Sequence, residues 1–298
     1  MVNVPASGKR IASFFLAACC ACALHAGGPL KWVQTPEKDE LRESSKLVLS
    51  YLYATQLPAG VAADRARCCY LYPLLTPGGV NVLDDFPNDH PHHRGIFWAW
   101  PYVGIGSETY DVWGLRGLKA ENVGHKAEIA AGGKLATLSV DNVWAVNGKR
   151  VATLHERYVI HPSEGTSRKL ELELVLTALD APMTLKGSHE AEKSYGGFNV
   201  RFAPREQTVI RTEAGLSEKD QDLNPHPWAE LEALYNGRKA TLRIDNDPSN
   251  PGGTPEMTLR HYGFLGASYP GKTPQRDSVT LQPGQPLTLR YTVRLWDR

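Results

Sequence analysis

"RKLELELVLTA", residues 168–178, decides the fold. Leu170, Leu172, Leu174 and Leu176 alternate with Glu171, Glu173, Val175 and Thr177. Successive side chains of an extended chain point to opposite faces, so a period of two predicts a strand with one buried and one wetter face. "PLTLRYTVRLW", residues 286–296, repeats the pattern with Leu287, Leu289, Tyr291, Val293 and Leu295. Outward from these two, "KLVLSYLY", "CCYLYPLL", "GIFWAW", "LATLSVDNVW", "RVATLHERYVIH", "GFNVRF", "KATLRI", "TLRHYGF" and "SVTLQP" all read as short strands. Gly, Pro, Asn or Asp punctuates nearly every gap, and "VNGKR", residues 146–150, reads as a type I′ hairpin turn. Helical periodicity is nearly absent; the best short helix is "PWAELEALY", residues 227–235, with Pro at a tolerated first position.

So many strands with no composition break predict an all-β chain. The expected architecture is a single large antiparallel two-sheet β-sandwich over residues 46–298, with few short helices. Two smaller β domains fit the same pattern. The polar, proline-interrupted "GGPLKWVQTPEKDELRESS" reads as an irregular lead-in, so that residues 19–45 are expected to form a tether.

At the N-terminus, Lys9 and Arg10 precede "IASFFLAA", an apolar run too short for a permanent membrane helix, so residues 1–18 read as a secretory signal peptide. Two endings compete. "LAAC" resembles a lipoprotein signal that would place a lipid on Cys19, while a later cut near "ACA" or "LHA" would release a soluble protein. Either way the protein is expected to be exported, to the periplasm or outer surface, and to meet a membrane only through that anchor. Lys plus Arg number 33 against 32 Asp plus Glu, with no basic block, which argues against a nucleic-acid partner. Beyond the signal, Cys68 and Cys69 are adjacent; neighbours on a strand face opposite ways, so they read as packing thiols rather than a structural disulfide.

The chemistry concentrates in "DFPNDHPHHRGIFWAWP", residues 85–101. Pro87 and Pro91 remove backbone donors and restrict φ, so the loop between them is stiff and leads into an apolar strand. His90, His92 and His93 lie nearest neutrality in pKa and suit proton transfer. Arg94 offers a forked donor set for a carboxylate or paired hydroxyls, and Trp98 and Trp100 share a strand face on which a sugar ring could stack. The same imidazoles are candidate ligands for a divalent metal, with further ligands drawn from His155, His189, Glu190 or His261.

"YLYPLLTPGGVNVLDDFPNDHPHHRGIFWAW" with the later "DVWG" resembles the bacterial family labelled PmoA, or DUF6807, whose hallmark is a "DHPHHR" loop after a "YPL" strand. "GGFNVRF" and "DNDPSNPGG" with "LRHYGFLGASYPG" are similar to its later regions. The resemblance implies, by fold analogy, a galactose-mutarotase-like supersandwich acting on carbohydrate. A methane oxygenase is not expected, because the chain has no long apolar spans after its signal. Matched positions are His90, His92, His93, Arg94, Asp111, Trp113, Arg201, His261 and Tyr262. Where the family is expected to read "DTKEG.FG.R", this chain has "SHEAEKSYGGFNVR", which displaces the acidic position.

The resulting expectation is a carbohydrate-active protein doing acid/base chemistry on a sugar ring, as an epimerase, lyase or glycoside-cleaving enzyme. His90 and His93 flank the ligand as the proton-transfer pair and Glu190 or Glu192 supplies a second acid or base. His92, Arg94, Trp98, Asp111, Trp113, Tyr195, Arg201 and His261 bind the substrate. No cofactor is required in this reading. A divalent-metal enzyme and a non-catalytic glycan-binding module are its rivals.

Overall fold

The computed structural model describes residues 1–2, 28–188, 193, 195–272 and 277–298. The signal segment with Cys19 lies outside the described residues, as do His189, Glu190 and Glu192.

Among the described residues the strands form two nine-stranded antiparallel sheets and a smaller one of four. The first sheet runs, in spatial order, Leu30–Gln34, Lys38–Glu43, Lys46–Leu52, Tyr70–Leu74, Ile96–Ala99, Gly197–Arg201, Phe264–Ser268, Glu256–Arg260 and Gln221–Pro225. The second begins Gly215–Ser217, Glu206–Thr212, Trp228–Tyr235, Arg238–Asn246 and Pro286–Asp297. It continues through Ser167–Ala178, Lys149–Ile160 and Ala136–Val146 to Lys119–Ile129. The third joins Ser278–Leu281, Met183–Lys186, Tyr102–Ile105 and Glu108–Tyr110. The all-β class and the two large sheets are those the alternation predicts.

Along Ser167–Ala178 every second residue is buried, and the strand pairs on one side with Pro286–Asp297 and on the other with Lys149–Ile160. The two most regular runs in the sequence are therefore hydrogen-bonded neighbours in one sheet. Asn147 and Gly148 both have positive φ, 49° and 79°, as a type I′ turn requires, and Val146 pairs Lys149 across it.

Three expectations are corrected. Residues 227–235 are not a helix: Trp228–Tyr235 is a strand paired with Glu206–Thr212 and Arg238–Asn246. Ala229, Leu231, Ala233 and Tyr235 are buried, and a helix would scatter that period-two set around its circumference. The lead-in is not irregular from Leu30 onward, since Leu30–Gln34 and Lys38–Glu43 pair with each other and the latter with Lys46–Leu52. Its inward residues are Asp39, Leu41 and Glu43, so charge hides the alternation. Glu43 accepts a 2.6 Å hydrogen bond from Arg168 inside the sandwich, and His125 comes within 3.7 Å of Asp39. Finally, "TLRHYGF" is broken by a turn at His261–Gly263 between two strands, with Gly263 at φ 104°.

Candidate functional site

Two successive turns shape the histidine loop: the His90 N–H donates to the Pro87 carbonyl and the His93 N–H to the His90 carbonyl. The loop is anchored from below by Arg94, which is fully buried. Arg94 donates to the carbonyls of Pro91, His93 and Arg65, lies 3.6 Å from Asp85, and stacks over Phe86 with its guanidinium carbon 3.4 Å from the ring centre. Gly95 then feeds the chain into the Ile96–Ala99 strand. A Cβ there would stand 2.2 Å from the Leu71 carbonyl oxygen, so the close strand approach requires glycine.

The three imidazoles do come together. His90 and His93 stack with ring centres 4.7 Å apart and planes at 13°, Tyr262 stacks on the other face of His90 at 5.0 Å and 9°, and His92 stands edge-on to both histidines. Beneath the column, Phe264 and Trp113 pack against His93. His90, His92 and His93 border a hollow of about 340 Å³, with Trp113, Tyr195, Tyr262 and Phe264 as aromatic walls and Lys193, Thr258 and Arg260 as its polar lining. Arg260 is held in place by Asp222 and the Gln221 carbonyl.

The expectation that His90 and His93 flank a ligand is corrected, because rings stacked at 4.7 Å leave no space between them. His93 is only 2% exposed, and burial, reinforced by His92 and His90, holds its pKa well below the usual imidazole value. His92 is driven down to about 4, first by burial and then by His90 and nearby arginines. Both rings are therefore neutral at neutral pH. The Nδ1 of His90 lies 3.0 Å from Asp89 Oδ2. Asp89 also takes both its carboxylate oxygens to Arg201, at 2.7 and 2.9 Å. Burial pulls the Asp89 carboxyl upward, but the hydrogen bonds from Arg201 and His90 outweigh it and hold the group below its ordinary range.

Other predicted residues fall elsewhere. Arg94 is a loop anchor: it is fully buried, its two Nη atoms donate to backbone carbonyls, and it does not border the hollow. Trp98 and Trp100 do share a face, but it is the interior one: Trp98 packs on Phe198 and Tyr291, and Trp100 donates to the Tyr269 carbonyl. Asp111 caps a turn by accepting from the Gly114 N–H at 2.7 Å and does not border the hollow. His261 has both ring nitrogens engaged, with Asp220 and the Ser217 carbonyl, and borders a neighbouring groove with Arg201. His155, considered as a distant metal ligand, pairs with Asp141. Trp113 and Tyr195 both border the hollow. Asp89, Arg260 and Phe264 were not singled out by sequence; the only signal was that Asp89 precedes His90 inside the proline-pinned loop.

Among the described residues no group of three or more His, Cys, Asp or Glu side chains is arranged to hold a metal ion. The in-plane lone pairs of the stacked His90 and His93 run side by side and do not converge. No helix among the described residues is long and apolar enough to cross a membrane.

A family model described as "Family of unknown function (DUF6807)" matches residues 40–298. Among solved structures, the chain is similar to the "putative mutarotase" YeaD from Salmonella typhimurium, at 11% identity and a TM-score of 0.35, covering 93% of this chain and 98% of that one. No curated protein matches the chain.

Proposed function

The chain belongs to DUF6807, a family of unknown function, and from the histidine hollow we propose that it binds a sugar or sugar acid after export and moves a proton on the ring. The observation that carries this reading is His90 on the wall of an aromatic-sided hollow, with Asp89 behind it 3.0 Å from its Nδ1. Asp89 Oδ2, 3.0 Å from His90 Nδ1, favours the tautomer with its proton on Nδ1, which leaves the Nε2 lone pair to take a proton from substrate. The neutral His92 ring, edge-on to His90 at 5.9 Å and on the same hollow, donates its N–H to the oxygen on which charge develops, and the His90 imidazolium returns the proton. Trp113, Tyr195 and Tyr262 offer faces to the C–H surface of a sugar, and Arg260 meets a hydroxyl or carboxylate. His93 and Arg201 position His90, one by stacking and the other through Asp89.

The described lining contains no carboxylate. Epimerisation and elimination need only a base and an acid, the parts that His90 and His92 supply in this reading. Proton NMR in D₂O with a panel of neutral and acidic sugars tests the reading. The wild-type protein should exchange a ring C–H for deuterium, or form a ring alkene. His90→Gln should slow this on the order of 100-fold with little change in binding. Asp89→Asn should give a smaller loss and a displaced pH–rate profile. Exchange indifferent to both His90→Gln and His92→Gln would refute the assignment. Sugar binding without any exchange would mark a glycan-binding module, and a stoichiometric divalent ion lost from His92→Ala would favour a metal centre.

A further inference from the structure

A second cavity, of about 320 Å³, shares no lining residue with the histidine hollow and lies between the Ile96–Ala99 strand of one large sheet and the Ala136–Val146 and Lys149–Ile160 strands of the other. Trp98, Trp144, Leu154 and Leu118 supply its apolar wall, and the exposed Asp64 and Lys119 stand at its mouth. Its polar side is unusual. Cys68 and Cys69 were expected on opposite faces of a strand. Cys69 instead has φ 65°, which curls the chain so that the two Sγ atoms lie 2.9 Å apart, both thiols free and both in the cavity wall.

Beside them is Arg67, only 6% exposed. Its Nη2 donates to the Trp98 carbonyl at 2.9 Å and its guanidinium sits over the Phe97 ring, but its Nη1 is buried with no hydrogen-bond partner among the described residues. Burial, then the nearby Arg94 charge, lowers its pKa to about 10, so it remains a cation at neutral pH. Glu156, a buried carboxyl on the cavity wall, is already hydrogen-bonded by Tyr51, Tyr158 and Asn142. A buried guanidinium with a vacant donor calls for an anion.

We propose that this cavity binds a small monocarboxylate with an apolar body, such as an aromatic or branched-chain acid, whose carboxylate accepts from Arg67 Nη1. A single vacant donor on Arg67 suits a monoanion, and the Glu156 carboxyl on the same wall disfavours a dianionic phosphate. The volume suits a ring plus its carboxylate, since roughly 150 Å³ of apolar cavity already holds a benzene. The ligand lies against Trp98, Trp144 and Leu154, and closes over the two thiols.

The test uses the full chain under reducing conditions, with benzoate as probe and benzamide as its uncharged counterpart. Calorimetry should show one benzoate bound per chain, with benzamide at least about 10-fold weaker, as expected for loss of a charge-assisted hydrogen bond. Benzoate should also slow iodoacetamide alkylation of Cys68 and Cys69, read by mass spectrometry. Leu118→Trp should fill the cavity and abolish benzoate binding while leaving sugar binding at the histidine hollow intact. Arg67→Lys should weaken benzoate and not benzamide. Equal affinity for the two probes, no protection of the thiols, or benzoate binding unchanged in Leu118→Trp would each overturn the proposal, and the first two need no variant to fold.

Discussion

Replacing Arg94 with Met should lower the unfolding free energy by about 3–5 kcal/mol, the range for breaking a buried charge network by removing one partner. Met matches the length and apolar stem, so packing alone does not account for the loss. The change leaves the carbonyls of Pro91, His93 and Arg65 without their donor and removes the cation facing Asp85. Burial already pushes the Asp85 pKa up to about 6 despite Arg94, so without the arginine this carboxyl should become largely neutral. Tyr70 still donates to it at 2.9 Å, which limits the damage on that side. Arg94→Lys should recover little, because an ammonium cannot span carbonyls on both sides of the loop as the fork does. Urea unfolding at pH 7 measures the effect. A loss below about 1 kcal/mol, the usual range for surface changes, combined with abolished sugar binding, would restore Arg94 to the ligand-contact role its sequence suggested.

Arg94 also shows where sequence reading reaches its limit. Period-two alternation is a local property, so Ser167–Ala178 and Pro286–Asp297 were legible at once. Lys38–Glu43 was not, because its inward face is charged and becomes readable only when Arg168 and His125 arrive from the other sheet. Trp228–Tyr235 carries good helix formers and was misread; two hydrogen-bonded neighbours outweigh propensity. In the site, the residue types were legible and their partners were not. Three imidazoles between prolines signalled chemistry, and they do converge. Which of them faces outward depends on Asp89, held by Arg201 from the Gly197–Arg201 strand, and on Tyr262, delivered by a turn far along the chain. Arg94 looked like a ligand contact because arginine beside histidines usually is one; the carbonyls that consume it lie on its own loop and at Arg65.

The pH dependence of stability should be governed by Glu156 on one side and by the histidines on the other. Glu156 is only 2% exposed, and burial lifts its pKa from an ordinary 4.5 to about 7 although Tyr158, Asn142 and Tyr51 hydrogen-bond to it. The folded protein therefore keeps a proton that the unfolded chain releases. Stability from this group is full below pH 4.5 and is lost as pH rises through 7. Each pH unit in that window is worth about 1.4 kcal/mol, so the whole contribution is about 3 kcal/mol. His92 and His93 act in the opposite sense: their folded pKa values are depressed, so their contribution is present above about 6.5 and is lost on acidification. Asp85, raised to about 6 by burial, acts in the same sense as Glu156, so between pH 4.5 and 6 two carboxyls oppose two imidazoles and the wild-type profile should be nearly flat there. Glu156→Gln keeps the shape and still accepts from the two tyrosine hydroxyls, at the cost of turning its NH2 toward the Asn142 amide, a penalty that does not vary with pH. Its advantage over wild type should grow by about 3 kcal/mol from pH 4.5 to 8, unmasking the acid-side loss due to the histidines. Urea unfolding of both proteins at pH 5, 6, 7 and 8 reads this directly. Parallel curves would mean that Glu156 titrates as an ordinary carboxylate and that Arg67 already has its counter-charge inside the sandwich.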